Sequence, residues 1–413
     1  MPDQKQSSPA TPRYLTFEEY NERIKNLKDS GDVMDFAKAL IAPALQEMLD
    51  AELTAHLGYE HGKRRPKDGE RNYRNGYGKK TLKTSFGEQE IAVPRDRSGE
   101  FQPQAVRRYE TVQNDVEEKI VAMYAKGMTT RDINHYLQDI YGVEVSADSV
   151  SAITDKVLPL VKEWQGRPLS SVYAVVYLDG IHFKVRDGGR IVARCAYVLL
   201  GISTEGQKEI LGIYTAQTEG AKFWMQVLTD VRNRGTKDIL LCCIDGLTGF
   251  SEAIKAVFPD TTVQQCIVHQ IRSSMKYVSY LHRDAFCRDL KMIYTAVSEE
   301  AGIDALAAAQ QKWPQYAHAL KSWEAKWTEL SPFFAYPPEL RRIVYTTNAI
   351  EALNRQFRKV TKTTSIFPHD ESLLKLLWLA AQDITRTWTR QAVPHWGSVV
   401  LQLAVLFPNR ITL

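Results

Sequence analysis

Two aspartates of this chain lie where a structural residue would be apolar. Asp245 ends DILLCCIDG, a run with no polar residue from Ile239 to Ile244, and Asp179 interrupts SVYAVVYLDGIHFKVR, in which apolar alternation continues through Ile181, Phe183 and Val185. A buried carboxylate is costly unless it is paired or bound to a cation. Two of them side by side call for a divalent ion. Oxygen donors with few nitrogens or sulfurs favour Mg2+ or Mn2+, and two such ions about 4 Å apart stabilise the attacking and leaving oxygens of an in-line displacement at phosphorus. Both acids precede glycine (Gly180, Gly246), so each alone also reads as a turn former. Neither behaves like a hairpin loop, and the turn after Asp179 comes only at Asp187–Gly189.

Such a site needs a third carboxylate, and the best placed is Glu351 in YTTNAIEALNRQFRKVTK. Asn348 can cap a helix with the apolar stripe Ile350, Leu353, Phe357 and Val360. Glu351, Arg355, Arg358 and Lys362 share another face at spacings of four, three and four. A carboxylate thereby heads a row of cations. Asn348 and Glu351 also fit a capping box, and the two roles are compatible. Asp370 and Glu371, opening ESLLKLLWLAAQDI, are the rival third acids.

The elements that must position these groups follow from periodicity. SVYAVVYLDGIHFKVR, RIVARCAYVLLGIST and KEILGIYTAQTEG, parted by turns at Asp187–Gly189 and Glu205–Gly206, read as three antiparallel strands. AKFWMQVLTDVRNRG is an amphipathic helix closed by Gly235, and DILLCCIDG a strand buried on both faces. LTGFSEAIKAVF is a helix, TVQQCIVHQ a further strand, and helices dominate from Ile271 to about Leu330. The order β-β-β-α-β-α-β is that of a ribonuclease H-like core, whose first and fourth strands are adjacent. Asp179 and Asp245 are therefore expected to be neighbours.

Upstream, residues 17–58 read as two helices with an apolar stripe (Phe36, Leu40, Leu45, Leu49, Leu53, Leu57) interrupted at Pro43. TLKTSFGEQEIAVPRDR reads as a short hairpin turning at Gly87. From Val116 to Val157, Gly127 and Gly142 punctuate three short helices, with Thr129 and Ser146 as N-caps. Ile120, Met123, Ile133, Leu137, Val150 and Ile153 would form their core, which suits a DNA-binding helix-turn-helix and equally a plain helical bundle.

With 413 residues, 44% hydrophobic and 25% charged, the chain has room for several domains and is neither a disordered tail nor a fibre. It carries no apolar run of transmembrane length, its N-terminus lacks a secretory signal's apolar segment, and its five cysteines suit reduced core thiols. A cytoplasmic protein without membrane association or disulfides is expected. The net charge of +4 hides an asymmetry: between His61 and Lys83, nine Lys or Arg face only Asp68 and Glu70. Lys63, Arg64, Arg65, Lys67, Arg71, Arg74, Lys79 and Lys80, with Tyr73 and Tyr77 among them, have the composition of a surface that neutralises phosphates and stacks on bases; a solvated Lys/Gly linker is the plainer reading.

With its acids in this order, the chain resembles the Mutator-like transposases of bacterial insertion sequences, members of the DDE group. The matching segments are YLDGIHFKVR (177–186), IDGLTGFSEAI (244–254), QCIVHQIRSSMKYV (265–278) and TTNAIEALNRQFRKVTKTTSIFP (346–368), together with RNGYGKKTLKT and the helix-turn-helix region. The resemblance covers most of the chain. It implies an α/β multidomain fold: a ribonuclease H-like catalytic core interrupted by an α-helical insertion and preceded by helical and helix-turn-helix DNA-binding domains. Expected boundaries are 1–60 (helical, dimerising), 61–106 (basic segment with a small β unit), 107–166 (helix-turn-helix-like), 167–270 (core, first part), 271–335 (insertion) and 336–413 (core, second part, with C-terminal helices). It further implies binding of terminal inverted repeats, with strand cleavage by water and strand transfer by a DNA 3′-hydroxyl. Mg2+, replaceable by Mn2+, would be held by Asp179, Asp245 and Glu351. The family is also thought to use a copied circular intermediate.

The expected partners are transposon ends and target DNA, with a homodimer holding two ends and no small-molecule substrate. Arg358 matches the family's basic residue seven positions after the glutamate. Cys266 and His269 match its Cys-x-x-His motif; His269 is expected to contact the scissile DNA or a catalytic carboxylate, since zinc would require a forced pairing with His282 and Cys287. Trp313, Trp323 and Trp327 would serve the insertion as core residues, or one of them as a base-stacking platform. A domesticated DNA-binding protein, or a nuclease without strand transfer, remains as an alternative.

Overall fold

Caps and turn glycines divide the chain into its elements, and in the computed structural model those elements form two separate units. The structure describes residues 13–63, 72–107, 112–247, 249–344, 348–386, 388 and 392–411. One unit comprises the described residues up to Tyr124 with Met128–Asp155; the other comprises Ala125–Gly127 and the described residues from Lys156 on.

In the first unit a capping box between Thr16 and Glu19 opens α1 (Phe17–Asn26). Asp29 caps α2 (Ser30–Leu57), which ends at Gly58 in the left-handed conformation. The expected interruption at Pro43 does not occur, and the break between the two helices falls before Ser30. Proline removes one backbone bond, but Ala42, Leu49 and Leu53 of α2 are buried, and that burial holds the helix together across it. Leu49 packs with Leu82 and Ile91 of the hairpin β1 (Arg74–Thr84) and β2 (Gly87–Asp96). The hairpin is longer than expected, since RNGYGKK is itself strand. Gly87 pairs with Thr84 at the turn with φ 106°, a backbone conformation that favours glycine. Next come α3 (Asn114–Ala125), α4 (Thr130–Tyr141) and α5 (Ala147–Asp155), around Val116, Ile120, Ile133, Leu137, Val150 and Ile153. Thr129 caps α4, and Ser146 Oγ accepts from the Ser149 N–H, as their positions predict.

The second unit begins with α6 (Leu158–Gly166) and builds a five-stranded mixed sheet. Its strands are β3 (Val172–Asp187), β4 (Arg190–Ser203), β5 (Lys208–Ala216), β6 (Asp238–Ile244) and β7 (Thr262–Gln265), in the order β5-β4-β3-β6-β7. β3, β4 and β5 are antiparallel, whereas β6 and β7 run parallel to β3. α7 (Ala221–Asn233) and α8 (Phe250–Val257) cover one face, packing with Val176, Leu178, Leu199, Cys242 and Ile244 around Trp224.

Beyond β7 come α9 (Ile267–Met275), α10 (Arg283–Tyr294), α11 (Glu299–Lys312), α12 (Ala317–Ala325), α13 (Trp327–Leu330) and α14 (Pro338–Val344). Trp313 and Trp323 are buried here, their indole N–H groups donating to Asp289 and Ser274, while half-buried Trp327 donates to Glu299. α15 (Asn348–Thr361) and α16 (Asp370–Arg386) pack against β3 and β5, and α17 (Trp396–Leu406) against α14. Among the described residues no helix is long and apolar enough to cross a membrane.

TVQQCIVHQ is not strand throughout. β6 has ended by Asp245, so β7 runs out of a pairing partner: the Cys266 N–H makes a last bond to the Ile244 carbonyl, and α9 starts at Ile267. His269 is thus a helix residue.

Side chains alternate across β3, so Val176, Leu178 and Gly180 face α7 and α8, while Tyr177 and Asp179 face the other side. Gly180 is required there by close approach: a Cβ would lie 2.6 Å from Cys195 Sγ and 3.1 Å from the Tyr197 ring. Gly180→Ala should lower unfolding stability by about 1–3 kcal/mol through overpacking, read as a reduced denaturant midpoint. A midpoint equal to that of the parent would show that the β4 side chains yield freely.

Candidate active site

The parallel pairing of β3 with β6 decides where the two aspartates go. Val176 is opposite Cys242, Tyr177 opposite Cys243 and Leu178 opposite Ile244. The next residue on each strand is an aspartate, so Asp179 and Asp245 emerge together where β6 stops. β3 continues past that point, which leaves Asp179 6% exposed, while Asp245 lies half-buried at the open strand end. His269, on the first turn of α9, closes the group. Asp179, Asp245 and His269 each offer one ligand atom, all within 4.8 Å of one another.

α15 supplies the remaining side. Ile350, Leu353, Asn354 and Phe357 form its buried stripe, and Glu351 lies at the stripe's edge. Asn354 Nδ2 donates to Asp179 Oδ2 at 2.6 Å, and the Gly180 N–H donates to Asp179 Oδ1 at 2.8 Å. Glu351 is gripped by Arg272, whose guanidinium donates at 2.7 and 3.3 Å. His269 bridges the two carboxylate regions, Nδ1 lying 3.2 Å from Asp245 Oδ1 and Nε2 3.9 Å from Glu351 Oε1.

Electrostatics distinguish this cluster from a structural carboxylate. Burial raises the Asp245 pKa; His269 and Arg272 oppose the rise, and Asp179 and Glu351 add to it. Burial alone would lower the His269 pKa, but Cys266, Asp245 and Asp179 together raise it. Buried Asp96, in the first unit, behaves oppositely: burial pushes its carboxyl up, but donors from Asn72, Ser98 and two backbone amides hold it well below the usual range. Among the described residues neither Asp179 nor Asp245 forms an ion pair with a Lys or Arg. Two desolvated carboxylates with an imidazole, and among the described residues no Lys or Arg paired to either acid, are a donor set that fits a divalent cation.

The expected site residues therefore divide. Asp179 and Asp245 converge, and Glu351 is at the rim, paired with Arg272. The rival Asp370 is held by Arg194 at 3.0 and 3.1 Å, and Arg194 pairs with Phe183, farther along β3. Arg355, Arg358 and Lys362 are exposed along and just beyond α15. In the first unit, Lys63 is exposed and pairs with Glu60 at 2.5 Å, and Lys79 is exposed and pairs with Glu90 at 3.4 Å. Lys80 donates to the Arg107 carbonyl. Arg74 is committed to the fold, donating to Thr54 Oγ1 and the Tyr59 carbonyl. Arg64, Arg65, Lys67 and Arg71 lie outside the described residues, as does the Asn348 side chain on which a capping box depends.

Sequence reasoning missed Arg272 and Asn354. The signal for Asn354 was present, a lone amide on an otherwise apolar helical stripe. Arg272, one turn after His269, carries no pattern of its own.

The family model for transposases of the Mutator family matches residues 15–391. The transposase of insertion sequence element ISRM3 from Rhizobium meliloti (strain 1021) is 45% identical over 91% of this chain and 92% of its own length. The transposase of IS905 from Lactococcus lactis subsp. lactis (strain IL1403) is 30% identical over 94% and 98%, and that of IS256 in transposon Tn4001 from Staphylococcus aureus 25% identical over 89% and 95%. On this match across nearly its whole length, the chain belongs to the Mutator family of transposases.

Proposed function

We propose that this protein is a Mg2+-dependent DDE transposase that binds the terminal inverted repeats of its element, cleaves DNA strands there and joins them to a target. The observation that carries this reading is the convergence of Asp179, within β3, and Asp245, just past the end of the paired β6, with His269 and Glu351 alongside, in a member of a transposase family. The strand order β5-β4-β3-β6-β7 supports a ribonuclease H-like core over 167–270 and 336–413, with 271–335 as a helical insertion. Residues 61–106 and the helix-turn-helix-like 107–166 would grip the ends, and residues 1–60 would join two copies so that both ends are held.

Asp179, Asp245 and Glu351 would hold the Mg2+ ions, for which Mn2+ can substitute. Bound there, such ions activate the attacking oxygen and neutralise charge on the phosphate and the leaving oxygen. The protein's own groups do the rest. Asp179, fixed through both oxygens, sets one wall of the site. His269 lies between Asp245 and Glu351 and can contact the scissile phosphate. Arg272, Arg355, Arg358 and Lys362 offer exposed cations to neighbouring phosphates. Lys63, Arg64, Arg65, Lys67, Arg71, Lys79 and Lys80 would meet the bound end, whereas Arg74, expected there too, is bonded to Thr54 and Tyr59.

Purified protein with its own terminal DNA and Mg2+ should nick and join strands. Asp245→Asn should cut that activity by more than the roughly 10–100-fold typical of an outer-shell change while leaving DNA binding intact. Cleavage that survives the substitution would refute the assignment.

A second expectation concerns pH. Burial raises the Asp245 pKa, so in metal-free protein its stabilising contribution is full below its unfolded pKa and is lost as pH rises through the folded value. Metal-free Asp245→Asn should therefore melt above the parent at neutral pH and level with it in acid, whereas added Mn2+ should stabilise only the parent. Equal melting profiles at every pH would contradict the raised pKa.

For the basic window, charge reversal of Lys63, Arg64, Arg65 and Lys67 to Glu should flatten the dependence of log binding constant on log salt, by about 0.9 for each phosphate that is no longer neutralised. An unchanged slope would place the DNA footprint elsewhere.

A further inference from the structure

We infer that Asn354 is a positioning residue of the active site, whose side-chain amide orients the Asp179 carboxylate and fixes the register of α15, and with it Glu351, against β3. The inference rests on the reading of Asp179 as a metal ligand. Asn354 is 0% exposed and occupies the i+4 position between Ile350 and Phe357, where a helix packed on a sheet ordinarily carries a hydrophobe. Its Nδ2 lies 2.6 Å from Asp179 Oδ2, and because an ionised carboxylate only accepts, the amide must turn its NH2 towards it.

Among the described residues the other end of the same amide has no partner: Oδ1 is buried and accepts no hydrogen bond. An amide kept for stability alone would be satisfied at both ends, or replaced by an apolar side chain of similar size. What Asn354 supplies is direction. With the Gly180 N–H on Oδ1 and Asn354 on Oδ2, both Asp179 oxygens are held in place before any cation arrives. Glu351 precedes Asn354 by three residues on the same helix, so the bond that ties Asn354 to β3 also sets how far along the sheet the third carboxylate lies.

The test uses full-length, DNA-free protein and Mn2+ alone, with binding measured calorimetrically. In Asn354→Leu, Mn2+ binding should weaken about tenfold or more, the scale expected of an outer-shell partner. The same change in an Asp179→Asn background should weaken it no further, because the amide acts through that carboxylate. Unchanged Mn2+ affinity in a folded Asn354→Leu protein, or losses that simply add, would overturn the inference. Should Asn354→Leu fail to fold, Asn354→Leu combined with Asp179→Leu should restore folding, since neither partner is then left unpaired; a double variant that stays unfolded would make Asn354 a purely structural residue and also overturn it. Parent protein that binds no Mn2+ would instead strike the metal-site reading itself.

Discussion

Two strands running in parallel, β3 and β6, share the register on which the candidate site depends. Their backbone bonds bring two carboxylates out of water side by side, at the point where β6 ends and β3 continues. Desolvation and mutual repulsion both oppose charge there, and the structure around the pair answers those costs. Asn354 and the Gly180 amide hold Asp179, and His269 faces Asp245. The apolar remainder of the sheet, sealed by α7 and α8 on one face and α15 and α16 on the other, keeps the pair from relaxing outward.

The helices contribute unequally to this arrangement. α9 delivers His269 and Arg272 from successive turns, so a cation and a titratable ring reach the acids together. α15 divides its circumference: the buried stripe anchors it on β3, Glu351 lies at the boundary, and the exposed basic residues form a ridge along and just beyond it. The pairing of Glu351 with Arg272 leaves its carboxylate beside His269 while a phosphate-binding type of side chain holds it. The tryptophans between α10 and α15, by contrast, spend their indole N–H groups inside their own unit.

Much of the fold was legible because local rules and global packing agree. The alternation of β3, β4 and β5, the unbroken apolar run of β6 and the caps at Thr129 and Ser146 all mark elements that form. Where expectation and structure diverged, a tertiary term had overridden a local one. Burial carries α2 through Pro43, and β7 stops early because its neighbour has ended, which moves His269 from a strand onto a helix. Asp370 was a plausible acid by sequence, but Arg194 claims it.

By itself the sequence determined which residues could do chemistry, since acids inside apolar runs announce a desolvation cost that only a ligand or partner removes. It also determined the family, through long ordered motifs. Only the tertiary structure decided which groups touch: that Arg272 rather than an open site meets Glu351, that Asn354 reaches Asp179, and that Arg74 is bonded within its own unit. Those outcomes depend on distances between segments far apart along the chain, and spacing in sequence carries no information about them.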